Sequence, residues 1–214
     1  MSCLLNLFRS YRHEGQESSC FPLEDDVSVH EEEDELDPVT EPSYVHPFII
    51  PNDRYGVVEI YGDCGQTKLD PKWERKHMGL AKDLPGSWNK GKGRMYCHNK
   101  MAPALREALH RCEVYGVLDY IYKMGCFNWR HIQHDPSKPL SYHSWGIAVD
   151  INPKDNRLKR YKRGSAPEPW SDEWHEVWPK GVPEMLVQAF KEAGFTWGGD
   201  WETTPDPMHM QLAG

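Results

Sequence analysis

The chain has 214 residues, 38% of them hydrophobic, and carries 33 acids against 25 lysines and arginines for a net charge of -8. That length accommodates one domain with its own core plus an appendage. No stretch of it approaches the roughly 20 apolar residues of a membrane span, and no nucleic-acid motif accompanies the acidic balance, which excludes nucleic acid as a partner.

The charge is unevenly placed. Residues 1–50 hold 12 acids against Arg9 and Arg12, while the remainder holds 21 acids and 23 bases. The segment "LEDDVSVHEEEDELDPVTEP" has no apolar periodicity, so residues 1–45 read as an acidic, disordered leader and 46–214 as the folded domain. The opening "MSCLLNLFRSYR" has no basic run before a short apolar stretch, so no Sec signal is read and synthesis is expected in the cytoplasm. The six cysteines, Cys3, Cys20, Cys64, Cys97, Cys112 and Cys126, form no C-x-x-C pair and are expected as free or buried thiols.

Within the domain, "YGVVEIYG" (55–62) places β-branched residues between glycines and reads as a strand. The run 99–116 sets Met101, Leu105, Ala108, Leu109 and Cys112 at helical spacing, with Pro103 tolerated in the first turn. "VLDYIYK" (117–123) reads as the next strand. "GIAVDIN" (146–152) alternates Ile147, Val149 and Ile151 against Ala148, Asp150 and Asn152, a strand with Asp150 opposite the aliphatics. Residues 154–174 form a polar, proline-containing insertion whose basic cluster, Lys159 to Arg163, is not read as a nucleic-acid site, because the ordered part is nearly neutral and no nucleic-acid motif accompanies it. A helix follows over 181–194, with Met185, Leu186, Ala189, Phe190 and Ala193 on one face and Gly194 at its stop. "FTWGGDW" (195–201) and "MHMQL" (208–212) read as closing strands. Helices and strands mix without regular βαβ alternation, so the expected class is α+β: a single domain with a small antiparallel sheet and packed helices.

Asp150 sits among aliphatic residues, where an unpaired carboxylate costs several kcal/mol. His143 precedes it by seven residues. That offset is about 10.5 Å of rise on a helix and about 23 Å fully extended, so the chain must fold back for the two to share an ion. Gly146 is placed to permit the reversal. His209 alternates with Met208 and Met210 and can face away from them. Two histidines and one carboxylate leave a fourth tetrahedral position open, the donor set of a catalytic zinc. Asp206, three residues before His209, is a candidate proton acceptor beside that set.

These residues resemble the zinc D-Ala-D-Ala carboxypeptidase family, which includes the vancomycin-resistance D,D-peptidases and phage L-alanyl-D-glutamate peptidase endolysins. Ser141, His143, Gly146, Ala148 and Asp150 match its S-x-H-x-x-G-x-A-x-D pattern. Asp206 and His209 match its closing carboxylate and histidine. "CHNKMAPAL", "GCFNWR" and "GFTWGGDW" are also similar, so the resemblance runs from about Pro47 to Leu212.

The resemblance implies a hedgehog- or D,D-peptidase-like fold, with Zn2+ held by His143, Asp150 and His209. It implies Asp206 as catalytic base and Arg130 as the cation that binds or polarises substrate. Ser141, Trp145, Trp197 and Trp201 are expected near the substrate. The implied activity is hydrolysis of a peptidoglycan stem peptide, as an endopeptidase at the L-Ala-D-Glu or D-Ala-diamino acid bond, by a monomer acting on the cell wall after phage-type release. The alternatives are a D-Ala-D-Ala carboxypeptidase, a wall hydrolase carried on a phage particle, and a non-catalytic zinc-containing binding domain of the hedgehog kind.

Overall fold

The computed structural model describes residues 54–91 and 93–212. The acidic leader, Cys3 and Cys20 lie outside the described residues. The first element is a helix, α1 (Arg54–Tyr61), where the β-branched composition suggested a strand. Packing decides the matter. Val57 and Tyr61, one helical turn apart, are both buried, whereas strand alternation would turn the exposed Glu59 inward beside them. Gly62 ends the helix at φ 80°.

Helix α2 (Pro71–His77) starts from Asp70, whose carboxylate accepts the Lys72 N–H, with proline in the first turn and basic residues in the last. It buries Trp73, whose Nε1 donates to the Tyr61 carbonyl at 2.8 Å and ties α2 to α1. Strand β1 (Met78–Ala81) follows at once. A single distorted turn, α3 (Trp88–Gly91), separates it from its antiparallel partner β2 (Met95–His98). Helix α4 (Ala102–Val114) forms where helical spacing placed it and buries Ala104, Leu105, Ala108, Leu109 and Cys112.

The strand expected over 117–123 is absent. Leu118–Tyr120 make a 3-10 turn, and the strand, β3 (Met124–Gly125), begins later. Side-chain amides take the backbone donors that a ladder would have used. Asn152 Oδ1 accepts from Tyr122 N and Lys123 N, and Asn89 Oδ1 accepts from Met124 N.

Strand β4 (Ala148–Ile151) forms as read. The insertion after it is mostly turns, but it ends in a helix, α5 (Asp172–Val177), begun by Ser171, whose Oγ accepts the Trp174 N–H. Helix α6 (Glu184–Glu192) buries Leu186, Val187, Ala189 and Phe190. Met185, expected on that face, is instead 41% exposed, because Val187 occupies the inward position. Of the "FTWGGDW" run only β5 (Thr196–Trp197) is a strand; Gly198–Asp200 turn into a 3-10 helix. The chain closes with β6 (His209–Gln211).

Strands β3, β4, β6 and β5 pair in that order, all antiparallel, into one sheet. Helices α4 and α6 pack against each other. Arg111 on α4 reaches Glu107 of its own helix and Glu192 of α6, each at 2.9 Å. The architecture is α+β with two small antiparallel sheets, as the mixed pattern required. Cys64, Cys97, Cys112 and Cys126 are buried free thiols.

Candidate metal centre

The central strand pair of the larger sheet builds the centre. In the β4–β6 register Asp150 lies directly opposite His209. Directly opposed residues on an antiparallel pair put their side chains on the same face. His143 arrives from the turn before β4. Tyr142–Trp145 form one 3-10 turn, capped at its start by Ser141, whose Oγ accepts the His143 N–H at 3.4 Å, and ended by Gly146 in the left-handed region. That reversal brings residue 143 back beside residue 150. A β-carbon at Gly146 would lie 2.6 Å from Met78 Cε and 2.9 Å from the His98 backbone nitrogen, so glycine is required for close approach as well as for its φ of 63°.

The three ligand atoms lie within 4.8 Å of one another. His143 Nε2 and His209 Nδ1 both face the same oxygen, Asp150 Oδ1, at 3.2 and 3.3 Å. Their far nitrogens also meet oxygens: His143 Nδ1 is 2.6 Å from the Cys126 carbonyl, and His209 Nε2 is 2.8 Å from Gln211 Oε1. A neutral imidazole has one N–H to give. If the far nitrogens donate, two lone pairs and a carboxylate oxygen converge, an arrangement that a cation between them resolves. The donor set thus fits a divalent metal of the zinc type, through Nε2 of one histidine and Nδ1 of the other.

The two aspartates of the centre are driven in opposite directions. Burial pushes Asp150 up, but in the metal-free state, where His143 and His209 turn protons towards it, their hydrogen bonds and charge outweigh burial and hold the carboxyl well below the usual range. Asp206 is pushed up to about 7, chiefly by burial and then by the charge of Asp150, against the opposing pull of His209 and Arg130. Its Oδ1 is buried without a hydrogen-bond partner among the described residues. The segment before it is fixed: Asp206 N donates to the Gly198 carbonyl at 2.8 Å, and His209 N to the Asp206 carbonyl at 3.0 Å. A β-carbon at Gly198 would lie 2.7 Å from that same Asp206 carbonyl.

Arg130 is half-buried, and its main chain is clamped to the turn that carries His143. Its N–H donates to Ser144 Oγ at 3.0 Å, while its carbonyl accepts from Ser144 Oγ at 2.8 Å and from Ser141 N at 2.9 Å. Ser141 is buried as the cap of that turn. Of the three tryptophans expected near the substrate, only Trp201 presents a surface: it is 37% exposed, with its ring 5.3 Å from that of His209. Trp145 and Trp197 lie in the core at 1% exposure. Their indole nitrogens are committed to the carbonyls of Gly62 and Pro207. They belong to the core and present no surface to a ligand. The Cys126 carbonyl, Ser144 and Gln211 were not read from the sequence. Gln211 could have been found, since period-two alternation sets it on the same face of β6 as His209.

Residues 134–212 match the family model described as D-alanyl-D-alanine carboxypeptidase. The matched segment contains His143, Asp150, Asp206 and His209; Arg130 falls just before it. The chain is also 28% identical over 96 residues to the peptidoglycan L-alanyl-D-glutamate endopeptidase CwlK of Bacillus subtilis (strain 168), an alignment covering 44% of this chain and 52% of that protein. The chain thus spans about half the length of this relative. No solved structure matches it. The resemblance read from the sequence holds over the segment that carries the centre.

Proposed function

We propose that this chain is a zinc-dependent peptidase that hydrolyses peptidoglycan stem peptides, cutting within the peptide at the L-Ala-D-Glu or D-Ala-diamino acid bond. The observation that carries the reading is the juxtaposition of two dissimilar acid sites. His143, Asp150 and His209 make a three-donor seat with an ionised carboxylate, and beside it Asp206 is a buried carboxyl that holds its proton up to about pH 7.

Zinc in that seat supplies a Lewis acid that polarises a carbonyl and lowers the pKa of bound water. The chain's own residues do the rest. Asp206 takes a proton from the attacking water and passes it to the departing amine, a role suited to a carboxyl poised near neutrality. A cation held by His143, Asp150 and His209 would offset the raising effects of burial and of the Asp150 charge, favouring the ionised form that accepts a proton. Arg130, anchored through Ser141 and Ser144, offers a guanidinium to a substrate carboxylate or to the oxyanion that develops at the scissile carbonyl. Trp201 gives an exposed aromatic face beside His209.

The activity of the matched relative, an L-alanyl-D-glutamate endopeptidase, supports the internal cut. The description of the matching family model favours a second reading, removal of the terminal D-alanine, with Arg130 pairing the free carboxylate. A purely structural zinc domain has no use for a buried carboxyl such as Asp206. Among the described residues no helix is long and apolar enough to cross a membrane, and we place the site of action at the cell wall. The test is mass spectrometry of purified, cross-linked peptidoglycan after digestion. New amino-terminal D-Glu or diamino acid is expected. Release of free D-alanine with no new internal amine would establish the carboxypeptidase, and an undigested wall would reject both.

A further inference from the structure

The far side of His209 is occupied by a residue to which the peptidase reading gives no role. Gln211 sits two positions along β6, on the same face, and is 6% exposed. In the sheet register it lies across from Ala148 on β4 and Thr196 on β5. A primary amide in the middle of a four-stranded sheet is costly unless it is hydrogen-bonded. A methionine or leucine would fill the same volume without that cost. What the amide contributes is its Oε1, 2.8 Å from His209 Nε2.

We propose that Gln211 is a positioning residue that sets which nitrogen of His209 is offered to the metal. Oε1 is an acceptor only, so it holds the proton of His209 on Nε2 and leaves the Nδ1 lone pair directed at the seat shared with Asp150. The Cys126 carbonyl does the same for His143 with the nitrogens exchanged: it holds Nδ1–H and leaves Nε2 facing Asp150. A main-chain carbonyl cannot be changed by substitution, but Gln211 can, so the His209 arm of the centre is the adjustable one. With the amide reversed, its NH2 group would donate to Nε2, the proton would move to Nδ1, and the ligand atom would be lost. The inference rests on His143, Asp150 and His209 being the metal seat.

The test uses the full chain and zinc affinity measured by competition with a chromophoric chelator. Gln211→Met, nearly equal in volume, keeps the fold and weakens zinc binding by about 10- to 100-fold, the range for lost outer-shell partners. Gln211→Glu keeps the acceptor, cannot reverse, and binds zinc within a few-fold of the wild type or more tightly. Wild-type affinity in a folded Gln211→Met chain overturns the inference, as does a Gln211→Glu chain weakened as much as Gln211→Met. Should Gln211→Met not fold, the wild type still decides: long-range 1H–15N spectra of the zinc-loaded protein must show His209 protonated on Nε2 and His143 on Nδ1, and the opposite tautomer at His209 overturns the assignment. His143→Ala separates this from the reading beneath it. If the wild type binds one zinc and His143→Ala loses it while Gln211→Met does not weaken it, only the role of Gln211 fails. If the wild type binds no zinc, the metal seat fails and takes this inference with it.

Discussion

Among the described residues, the pair His77 and His98 and the pair His143 and His209 each lie close together, and the second makes a candidate metal seat. His77 and His98, at the ends of α2 and β2, have ring centroids 5.4 Å apart; those of His143 and His209 are 5.1 Å apart. The first pair is packed against Trp73 and Tyr61. Both nitrogens of His98 are committed to the main chain: Nε2 meets the Tyr61 carbonyl at 3.2 Å, and Nδ1 accepts from Lys100 N at 3.0 Å. Burial, followed by the charges of His77 and Lys100, pushes His98 down to about 4 against the pull of that carbonyl. The second pair shares the Asp150 oxygen. Proximity of imidazoles is therefore not the criterion. A carboxylate oxygen between them, with acceptors behind them, separates a cation seat from an aromatic cluster whose buried histidine stays neutral.

The comparison breaks most sharply at the ligands. Asp150→Asn, His143→Ala or His209→Ala should each reduce zinc affinity by more than the roughly 100-fold upper range for outer partners, whereas His77→Ala should leave the zinc content at one per chain. Elemental analysis after dialysis reads both. A stoichiometric zinc that survives His143→Ala and is lost with His77→Ala would reverse the assignment of the two pairs.

The next effect separates a ligand from its neighbour. Asp206→Asn should retain zinc but lower turnover on peptidoglycan by roughly 10²- to 10⁴-fold, the usual range for a lost general base. His98→Ala should instead cost stability while leaving the turnover of the folded fraction unchanged. Steady-state hydrolysis together with melting curves distinguishes the two. A fully active Asp206→Asn chain would show that Asp206 is not the base.

A smaller effect is a matter of pH. In metal-free protein, Asp206 is raised to about 7 in the fold from an ordinary value of 3.8. Between those values the folded state binds the extra proton, so its contribution to stability is greatest below about pH 4 and is lost as the pH rises towards 7. Asp150 is depressed, so its contribution is present above the ordinary carboxyl range and is lost as the pH falls below it. Metal-free Asp206→Asn should therefore be more stable than metal-free wild type at pH 8, on the order of a few kcal/mol, with the difference shrinking towards pH 4. Urea melts at the two pH values measure it, and a variant less stable at pH 8 contradicts the assignment.

The smallest expected effect is none at all. Deleting residues 1–42 should leave zinc content and melting temperature unchanged, because that acidic stretch has no apolar face to bury. A drop of several degrees would show that it packs on the domain, and a rise in activity would identify an inhibitory role.

The elements that carry the centre were the more legible part of the sequence. β4 and β6 each alternate with period two, and α4 and α6 show helical spacing between clear stops, so local pattern and tertiary burial agree. Over 55–61 they disagree: Val57, Val58 and Ile60 favour a strand by composition, and the packing of Val57 and Tyr61 on one helical face prevails. The 117–123 run has strand-like residues, but Asn152 takes the amide protons of Tyr122 and Lys123 from a position distant in sequence, which no local pattern reveals. Helix α5 was hidden inside the insertion although Ser171, Asp172 and Glu173 spell its beginning. At the centre, side-chain chemistry singled out the ligands, Asp206 and Ser141, while the Cys126 carbonyl went unread because it belongs to the main chain, and Ser144 because its hydroxyl bonds to the main chain of Arg130, 14 residues away.

The left-handed Gly146 also determines where this chain tolerates a change of length. Between His143 and Asp150 there are six residues: half of a 3-10 turn, one reversal and the first part of a strand. One residue more or fewer would turn every side chain of β4 to the opposite face, putting Asp150 into the core and Val149 at the ion. The insertion that leaves β4 has no such constraint. It touches the closing segment through main-chain bonds from Lys159 and Tyr161 to Pro205 and Thr203, and residues 162–165 at its turn are exposed. Loop grafts, affinity tags or substrate-selecting extensions therefore belong at 162–166, while the stretch 143–150 must be transplanted whole or left alone.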